Sequence, residues 1–240
     1  MKLFSQIARK LIRQGRRSNS AWAFLIDNLR QTRTREGLAE LWTKNFHRNE
    51  LHQVTTYTER NRYPHLFDLA AALRPDASRI LSFGCSTGEE IEAIRSRFSK
   101  ALILGAEINP RSRKIARARF LNDKNVAIRP SYKDELSFDI AFAMAVLQFR
   151  PHLIKSSDIA DLSKIYPFSR FANEVENLVA HLAPAGLLCV MHTQYRVEDT
   201  KSALALQALS DSPRVPGHMF GTNSRLDPSL SPGVSLFIKH

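Results

Sequence analysis

The stretch "ILSFGCSTGEE", Ile80 to Glu90, decides how this chain is interpreted. Its apolar start predicts a strand, its two glycines predict a turn, and the two acids that follow open a helical segment. The centre, "GCSTG", also fits the G-x-S-x-G pattern, in which the serine is a hydrolase nucleophile on a sharp strand-to-helix turn. Ser86 is therefore either a nucleophile or part of a glycine-rich binding turn.

The order of the predicted elements argues against a nucleophile. In an α/β-hydrolase several strands precede the nucleophile strand, whereas only basic helical sequence precedes "RILSF" here. Glu89 and Glu90 also place negative charge at the start of the following helix, where a nucleophile elbow helps to stabilise an oxyanion. We interpret Ser86 as part of a binding turn.

The ligand of this turn is not predicted to be a phosphate. No Gly-Lys-Ser/Thr sequence follows Gly88, and Ser86 and Glu89 occupy positions that are glycines in the dinucleotide fingerprint. Glu89 at a helix start repels a pyrophosphate and attracts a cation. S-adenosylmethionine meets this condition, because it combines a sulfonium, an α-ammonium, a carboxylate and a ribose.

An acid at the end of the second predicted strand supports this cofactor. Gly84 and Gly88 allow close approach of the main chain, and Glu107 in "LGAEINP" follows Gly88 by nineteen residues. A carboxylate at that strand end can accept hydrogen bonds from two vicinal ribose hydroxyls. The alternative is that Glu107 is an ordinary acid at the end of a strand.

Short apolar runs alternate with helical segments from about residue 65 onward. The predicted strands are "RILSF", "ALILGAEI", "NVAIR", "FDIAFAMAV", "GLLCVMH" and a final "SLFIKH". The predicted helices are "HLFDLAAAL" and roughly residues 89–98, 110–121 and 170–183. This alternation predicts the α/β class, with a mostly parallel sheet covered by helices on both faces.

Composition fits a globular intracellular protein. The 240 residues are 43% hydrophobic and 24% charged, and no apolar run approaches the roughly 18 residues that span a bilayer. Cys85 and Cys189 give neither a disulfide framework nor zinc-ligand spacing, so we expect buried free thiols and no metal site. We expect a cytoplasmic location.

The basic charge is concentrated near the amino terminus. Residues 1–36 contain nine Lys or Arg and two acids, which is +7 of the total +12. We predict a basic helical extension over residues 1–50 and an α/β domain over 51–240. Three interpretations of the extension remain open: a helical cap with a solvated basic face, a membrane-surface or nucleic-acid contact, and an organellar transit peptide.

Four segments carry a resemblance to a known family. They are "LSFGCSTGEE", "GAEINPRSRKIARAR", "FDIAFAMAVLQF" and "VENLVAHLAPAGLLCV". Over roughly residues 55–192 the chain resembles the class I S-adenosylmethionine-dependent methyltransferases, which have a Rossmann-like fold. The turn, with the preceding "TTYTERNRYP", is most similar to the chemotaxis receptor glutamate methyltransferases.

The resemblance implies a set of cofactor-binding residues. They are Gly84, Cys85, Ser86 and Gly88 along the methionine part, Glu89 near its ammonium, Arg60 or Arg62 at its carboxylate, Glu107 at the ribose, Ile108 and Asn109 beside the adenine, and the main chain of Met144 and Ala145. Ser131 stands where the family has an adenine-contacting acid.

Two further departures from the family pattern bear on the substrate and on the turn. The fourth strand ends in "AMA", where the chemotaxis branch has Cys-Arg-Asn, so a glutamate-ester product is not implied. Most family members have an acid at the position of Ser82, whereas the chemotaxis branch shares the serine.

Methyl transfer requires an oriented acceptor and, for some acceptors, a base. His192 and Tyr195 follow the fifth predicted strand and are the candidate catalytic residues; the alternative is that both are packing or capping groups. We expect a methyltransferase acting on an oxygen or nitrogen of a small molecule or protein side chain, including carboxylates. An RNA methyltransferase, suggested by the charge, and a SAM-binding adaptor without catalysis are the alternatives.

Overall fold

The computed structural model describes residues 52, 61–149, 154, 159–215, 217 and 219–240. The predicted basic extension over residues 1–50 and Arg60 lie outside these residues, and the proposed boundary at residue 51 stays a prediction. None of the described helices combines the length and apolarity needed to cross a bilayer.

The described helices and strands follow the predicted alternation. The helices are α1 (Pro64–Leu73), α2 (Glu89–Arg97), α3 (Pro110–Arg119) and α4 (Phe168–Ala180). The strands are β1 (Arg79–Phe83), β2 (Leu102–Ala106), β3 (Val126–Arg129), β4 (Phe138–Met144), β5 (Leu182–Met191), β6 (Leu206–Ala208) and β7 (Leu236–Lys239). Two 3-10 segments, Val197–Asp199 and Lys201–Ala205, connect β5 to β6.

The strands form one sheet in the order β3-β2-β1-β4-β5-β7-β6. Strands β1 to β5 are parallel, and β7 is antiparallel to both β5 and β6. The predicted Rossmann-like architecture is confirmed. Because the chain winds from β1 to β3 in one direction and from β4 onward in the other, the order reverses between β1 and β4. In open α/β sheets, ligands bind at the carboxyl ends of the strands that flank such a switch point.

Helices cover both faces of the sheet, as predicted. Ile80 and Ile140 face one side and belong to a core that includes residues of α1 and α2. Leu81 and Ala141, their neighbours in sequence, belong to a second core that includes residues of α4. This alternation follows from the two-residue period of a strand buried on both faces.

Local sequence explains where the helices beside the switch point begin. Gly88 precedes α2 and has a left-handed backbone conformation, which glycine adopts readily. The acids in the first turn of α2 interact favourably with the positive end of the helix dipole. Pro110 opens α3, whose N-cap is Asn109; its side chain accepts from the main-chain N–H groups of Arg111 and Ser112.

Two features differ from the sequence prediction. Strand β5 begins at Leu182 rather than Gly186, because Phe138 pairs with Leu182 before the register shifts to Ile140 with Leu187. The short edge strand β6 was not predicted.

Candidate functional site

The turn after β1 is fixed against the ends of β2 and β4. The main-chain N–H groups of Gly84 and Cys85 donate to the carbonyl of Ala106 at 2.8 and 3.3 Å. Gly84 has φ +74°, and a Cβ there would lie 2.5 Å from Cγ2 of Val146. Both the backbone angle and the close approach therefore require glycine.

Glu107 binds this turn with its carboxylate, at the switch point. One oxygen accepts from the N–H of Ser86 at 2.9 Å, and the other accepts from the N–H of Asn109 at 2.6 Å. The side chain is buried, and burial raises the pKa of Glu107 against the opposing effect of these bonds. The N–H of Ile108 also bonds to this carboxylate. A carboxylate has about four lone-pair sites, so it can still accept a hydroxyl donor.

Two arginines of α3 brace the same region. Nη1 of Arg113 donates to the carbonyls of Glu107 and Ile108 at 2.8 and 3.1 Å. Nε of Arg119 donates to the carbonyl of Thr87 at 2.9 Å. Two of the five basic residues on α3 therefore hold the turn and the loop after β2.

Glu89, predicted to lie near a ligand ammonium, is engaged elsewhere. Its carboxylate pairs with the guanidinium of Arg119 at 2.6 Å and accepts from the hydroxyl of Thr87, also at 2.6 Å. Its role toward a cofactor stays a prediction.

Glu90 is a candidate site residue that sequence reasoning missed. Its Oε1 accepts a 2.7 Å hydrogen bond from the hydroxyl of Ser82, which is fully buried in β1. Burial raises the pKa of Glu90 to about 8. No Lys or Arg among the described residues forms an ion pair with it. A half-buried carboxyl whose pKa is raised by desolvation, with no cation among the described residues, is a group that a ligand cation would neutralise. The available signal was Ser82, at the position where most relatives of the resembled family have an acid.

Non-glycine residues with positive φ lie at the carboxyl ends of three adjacent strands. Ser86 follows β1 with φ +50°, Ala145 follows β4 with +56°, and His192 follows β5 with +53°. Each such backbone conformation costs of order 1–2 kcal/mol. Residues in these strained conformations cluster at functional sites. The N–H of Ala145 donates to the carbonyl of Met191 at 2.8 Å, which joins the ends of β4 and β5. Met144, predicted with Ala145 to offer main chain to the cofactor, is buried at the end of β4.

His192 lies beside the residues that precede α1. Its ring centroid is 5.7 Å from that of Tyr63, and the guanidinium of Arg62 lies 5.3 Å from the same Tyr63 ring. Burial first, and Arg62 second, lower the pKa of His192, so its imidazole is neutral at pH 7. The Tyr63 hydroxyl is buried without a hydrogen-bond partner among the described residues.

The remaining predicted residues are distributed around this edge. Cys85 is buried, and burial followed by the charge of Glu107 raises the pKa of its thiol. Ser131 is exposed, and its hydroxyl accepts from the N–H of Lys133 at 3.1 Å. Tyr195 is fully buried and donates its hydroxyl to the carbonyl of Tyr166 at 2.5 Å. This geometry fits the packing alternative, and a catalytic role for Tyr195 stays a prediction. Among the described residues, no group of three or more His, Cys, Asp or Glu side chains can hold a metal ion.

No protein-family model matches the sequence, and no curated protein matches it. The search of solved structures does find similar chains. An amino pentose methyltransferase from Micromonospora echinaspora, solved with SAM, is 21% identical; the match covers 65% of this chain and 57% of that one, with a TM-score of 0.41. The N-methyltransferase NodS from Bradyrhizobium japonicum is 17% identical, with 75% and 94% covered and a TM-score of 0.48. DesVI from Streptomyces venezuelae is 19% identical, with 56% and 50% covered and a TM-score of 0.40.

We transfer no activity from these matches. This chain spans about half the length of the first solved structures that it matches, 50% for DesVI and 57% for the amino pentose enzyme. None of the three is a chemotaxis receptor methyltransferase, so the resemblance to that branch rests on the sequence of the turn.

Proposed function

We propose that this chain is an S-adenosylmethionine-dependent methyltransferase acting on an oxygen or nitrogen of a small molecule or protein side chain. The observation that carries the proposal is the carboxylate of Glu107, held by the N–H of Ser86 at the switch point of the sheet. This arrangement sets a hydroxyl acceptor beside a glycine turn, as a ribose requires.

The residues present fit the charges of this cofactor. Glu107 would hold the ribose, and Glu90 would face a cationic group, because its half-buried carboxyl has a raised pKa and no ion pair with a Lys or Arg of the described residues. Arg62 would approach the carboxylate of the cofactor, as the resemblance implies. Acids in the first turn of α2 disfavour a phosphate at the same place. A nucleotide with a phosphate chain fits less well.

The cofactor supplies an activated methyl group when bound, so the protein contributes orientation and, where needed, a base. The Gly84 turn and the end of β4 would orient the ligand. His192, neutral at pH 7, is a described group at this edge that could accept a proton from an acceptor.

Calorimetric titration of S-adenosylmethionine and S-adenosylhomocysteine, with ATP and NAD as comparison ligands, tests the cofactor. We expect binding of the first two and a loss of about 10- to 100-fold in affinity in Glu107→Ala, by loss of the hydroxyl contact. Glu176→Ala is the matched control, because Glu176 is an exposed acid on α4. Absence of heat with both sulfur compounds, or tighter binding of ATP, contradicts the proposal.

Incubation of cell-extract fractions with methyl-labelled cofactor tests the activity. Label in the metabolite or protein fraction that disappears in Glu107→Ala supports the proposal. Labelled RNA favours the RNA methyltransferase alternative, which the +12 net charge suggests. In that case the binding of RNA to the protein should weaken steeply as salt rises. Cofactor binding without label in any fraction favours an adaptor.

A further inference from the structure

His52 is a buried polar residue outside the proposed cofactor site. Its side chain is 3% exposed, although it precedes the first described helix by more than ten residues. Its Nδ1 lies 2.8 Å from the hydroxyl of Tyr166, and its Nε2 lies 3.8 Å from Oε2 of Glu174. Both partners are far away in sequence, so tertiary structure alone brings them together.

Glu174 is the centre of this polar cluster. It lies in the middle of α4 and is 7% exposed. Its Oε1 accepts a 2.7 Å hydrogen bond from the hydroxyl of Tyr132, and the ammonium of Lys133 lies 4.0 Å from Oε2. Burial opposes ionisation, but His52, the Tyr132 hydroxyl and the ammonium of Lys133 together outweigh it and lower the pKa of Glu174. The cluster therefore contains a buried carboxylate, ionised at neutral pH, whose bonds come from separate segments.

The cluster contacts the loops that form the carboxyl edge of the sheet. The ring of Phe83, directly before Gly84, lies with its centroid 6.1 Å from His52 and 5.5 Å from Tyr132. Tyr132 directly follows Ser131, which lies in the loop after β3.

Tyr166 extends the same cluster to the ends of β4 and β5. Its ring is stacked on that of Phe149, in the loop after β4, at 6.5 Å. Its carbonyl accepts from the hydroxyl of Tyr195, in the loop after β5. Thus the end of β1, directly before the Gly84 turn, and the loops after β3, β4 and β5 all contact this one cluster.

We propose that His52, Glu174, Tyr132 and Tyr166 form a buried anchor that fixes the chain at His52 to the loops of the carboxyl edge, with His52 as a positioning residue for the Gly84 turn. The anchor stands on its contacts alone; only its effect on cofactor affinity rests on the proposed function. Removal of one member of a buried network leaves its partners unpaired, so loss of His52 should loosen the segments that its partners hold.

The test compares His52→Ala with His65→Ala, because His65 is an exposed histidine on α1. Amide hydrogen exchange is followed in peptides covering residues 83–88 and 131–133, and cofactor affinity is measured by calorimetry. We expect His52→Ala to speed exchange at both loops by tenfold or more and to weaken the affinity by about tenfold. His52→Gln, which keeps a hydrogen-bonding group, should fall between wild type and His52→Ala, whereas His65→Ala should match wild type.

A lower unfolding midpoint with unchanged exchange at both loops overturns the anchor, since it would show that His52 only fills the core. If His52→Ala does not fold, His52→Gln and Glu174→Gln decide the same question by the same exchange measurement. If wild type binds no S-adenosylmethionine, the proposed function fails, and the exchange data still decide whether the anchor exists.

Discussion

Ser82 donates its hydroxyl to Oε1 of Glu90 at 2.7 Å, and this bond joins the carboxyl end of β1 to the first turn of α2. The small side chain of Ser82 leaves room for the Glu90 carboxyl above the sheet. The resembled family usually has its acid on the strand at this position. Here the helix supplies the acid and the strand supplies the donor.

This pair predicts how cofactor binding depends on pH. Burial raises the pKa of Glu90 to about 8, so the ligand-free protein carries the proton at pH 7. A bound cation favours the ionised form, so binding should release a proton and affinity should rise as pH approaches 8. Glu90→Gln should bind about tenfold more weakly at pH 8 and release fewer protons, measured by calorimetry in buffers of different ionisation enthalpy.

Glu176→Gln is the control for this prediction, because it removes an exposed acid from another helix. Equal proton release by wild type and Glu90→Gln would show that the Glu90 carboxyl does not meet the ligand's charge.

The same carboxyl predicts how the stability of the ligand-free protein varies with pH. The folded pKa of Glu90, about 8, lies above the ordinary value of 4.5, so the folded state binds more protons between these values. Its contribution to stability is therefore fully present below about pH 4.5 and is lost as pH rises toward 8. Glu90→Gln should lose this part of the dependence and be more stable than wild type at pH 8, measured by urea unfolding across the range. An identical pH dependence in both proteins would contradict the burial argument.

Substitution of Gly84 tests both the steric fit and the backbone angle of its turn. Gly84→Ala should destabilise the protein by about 2–4 kcal/mol, because the new methyl group meets Val146 at 2.5 Å and the residue has φ +74°. Val146→Ala in the same chain should recover the steric part only, as measured by denaturant unfolding. Gly217→Ala is the control for the angle, since Gly217 has φ +123° and a new Cβ there would have no atom of the described residues within 4 Å. Full recovery by Val146→Ala would show that the angle at Gly84 costs little.

The sheet and one site residue were predictable because their signals are local. Buried parallel strands are continuous apolar runs, as in "RILSF", and their alternation with helices determines the class of fold. Glu107 could be placed at a strand end because its spacing from Gly88 implies the end of β2 in a βαβ unit.

Which of the neighbouring acids Glu89 and Glu90 faces the sheet could not be predicted from the local sequence. Successive residues of a helix point about 100° apart, so Glu89 and Glu90 face different surroundings, and the sequence does not state which faces the sheet. Glu89 contacts Arg119 of α3, and Glu90 contacts Ser82 of β1. The pairing of His52 with Glu174 could not be predicted either, because only the folded chain brings those two segments together. Strand β6 has three residues, too few to show a period.

His192 should titrate below the ordinary histidine value. Burial and the charge of Arg62 lower its pKa from 6.5, so the neutral form persists into mildly acidic solution. The unfolded chain binds the proton more readily, so this group's contribution to stability is present above pH 6.5 and is lost as pH falls through the folded pKa. NMR titration of the His192 ring should give a midpoint below 6.5, and Arg62→Gln should raise it. A wild-type midpoint at or above 6.5 would contradict the described burial.

Ala185 offers a test of the bulge at the start of β5. It has φ +56°, and its carbonyl accepts from Nη1 of Arg74 at 2.7 Å. A glycine at this position removes the strain of a Cβ at positive φ and keeps this main-chain hydrogen bond. It also makes the unfolded chain more flexible, which opposes part of the gain. Ala185→Gly should therefore stabilise the protein by about 0.5–1 kcal/mol, read from the urea midpoint.

Ala183→Gly is the matched control for Ala185→Gly, because Ala183 lies in the same bulge and is not among the residues of positive φ. Here glycine only adds flexibility to the unfolded chain, so the substitution should destabilise by about 0.5–1 kcal/mol. The two substitutions should thus shift the midpoint in opposite directions. Equal destabilisation by both would mean that the backbone at Ala185 is not held in the left-handed region in solution.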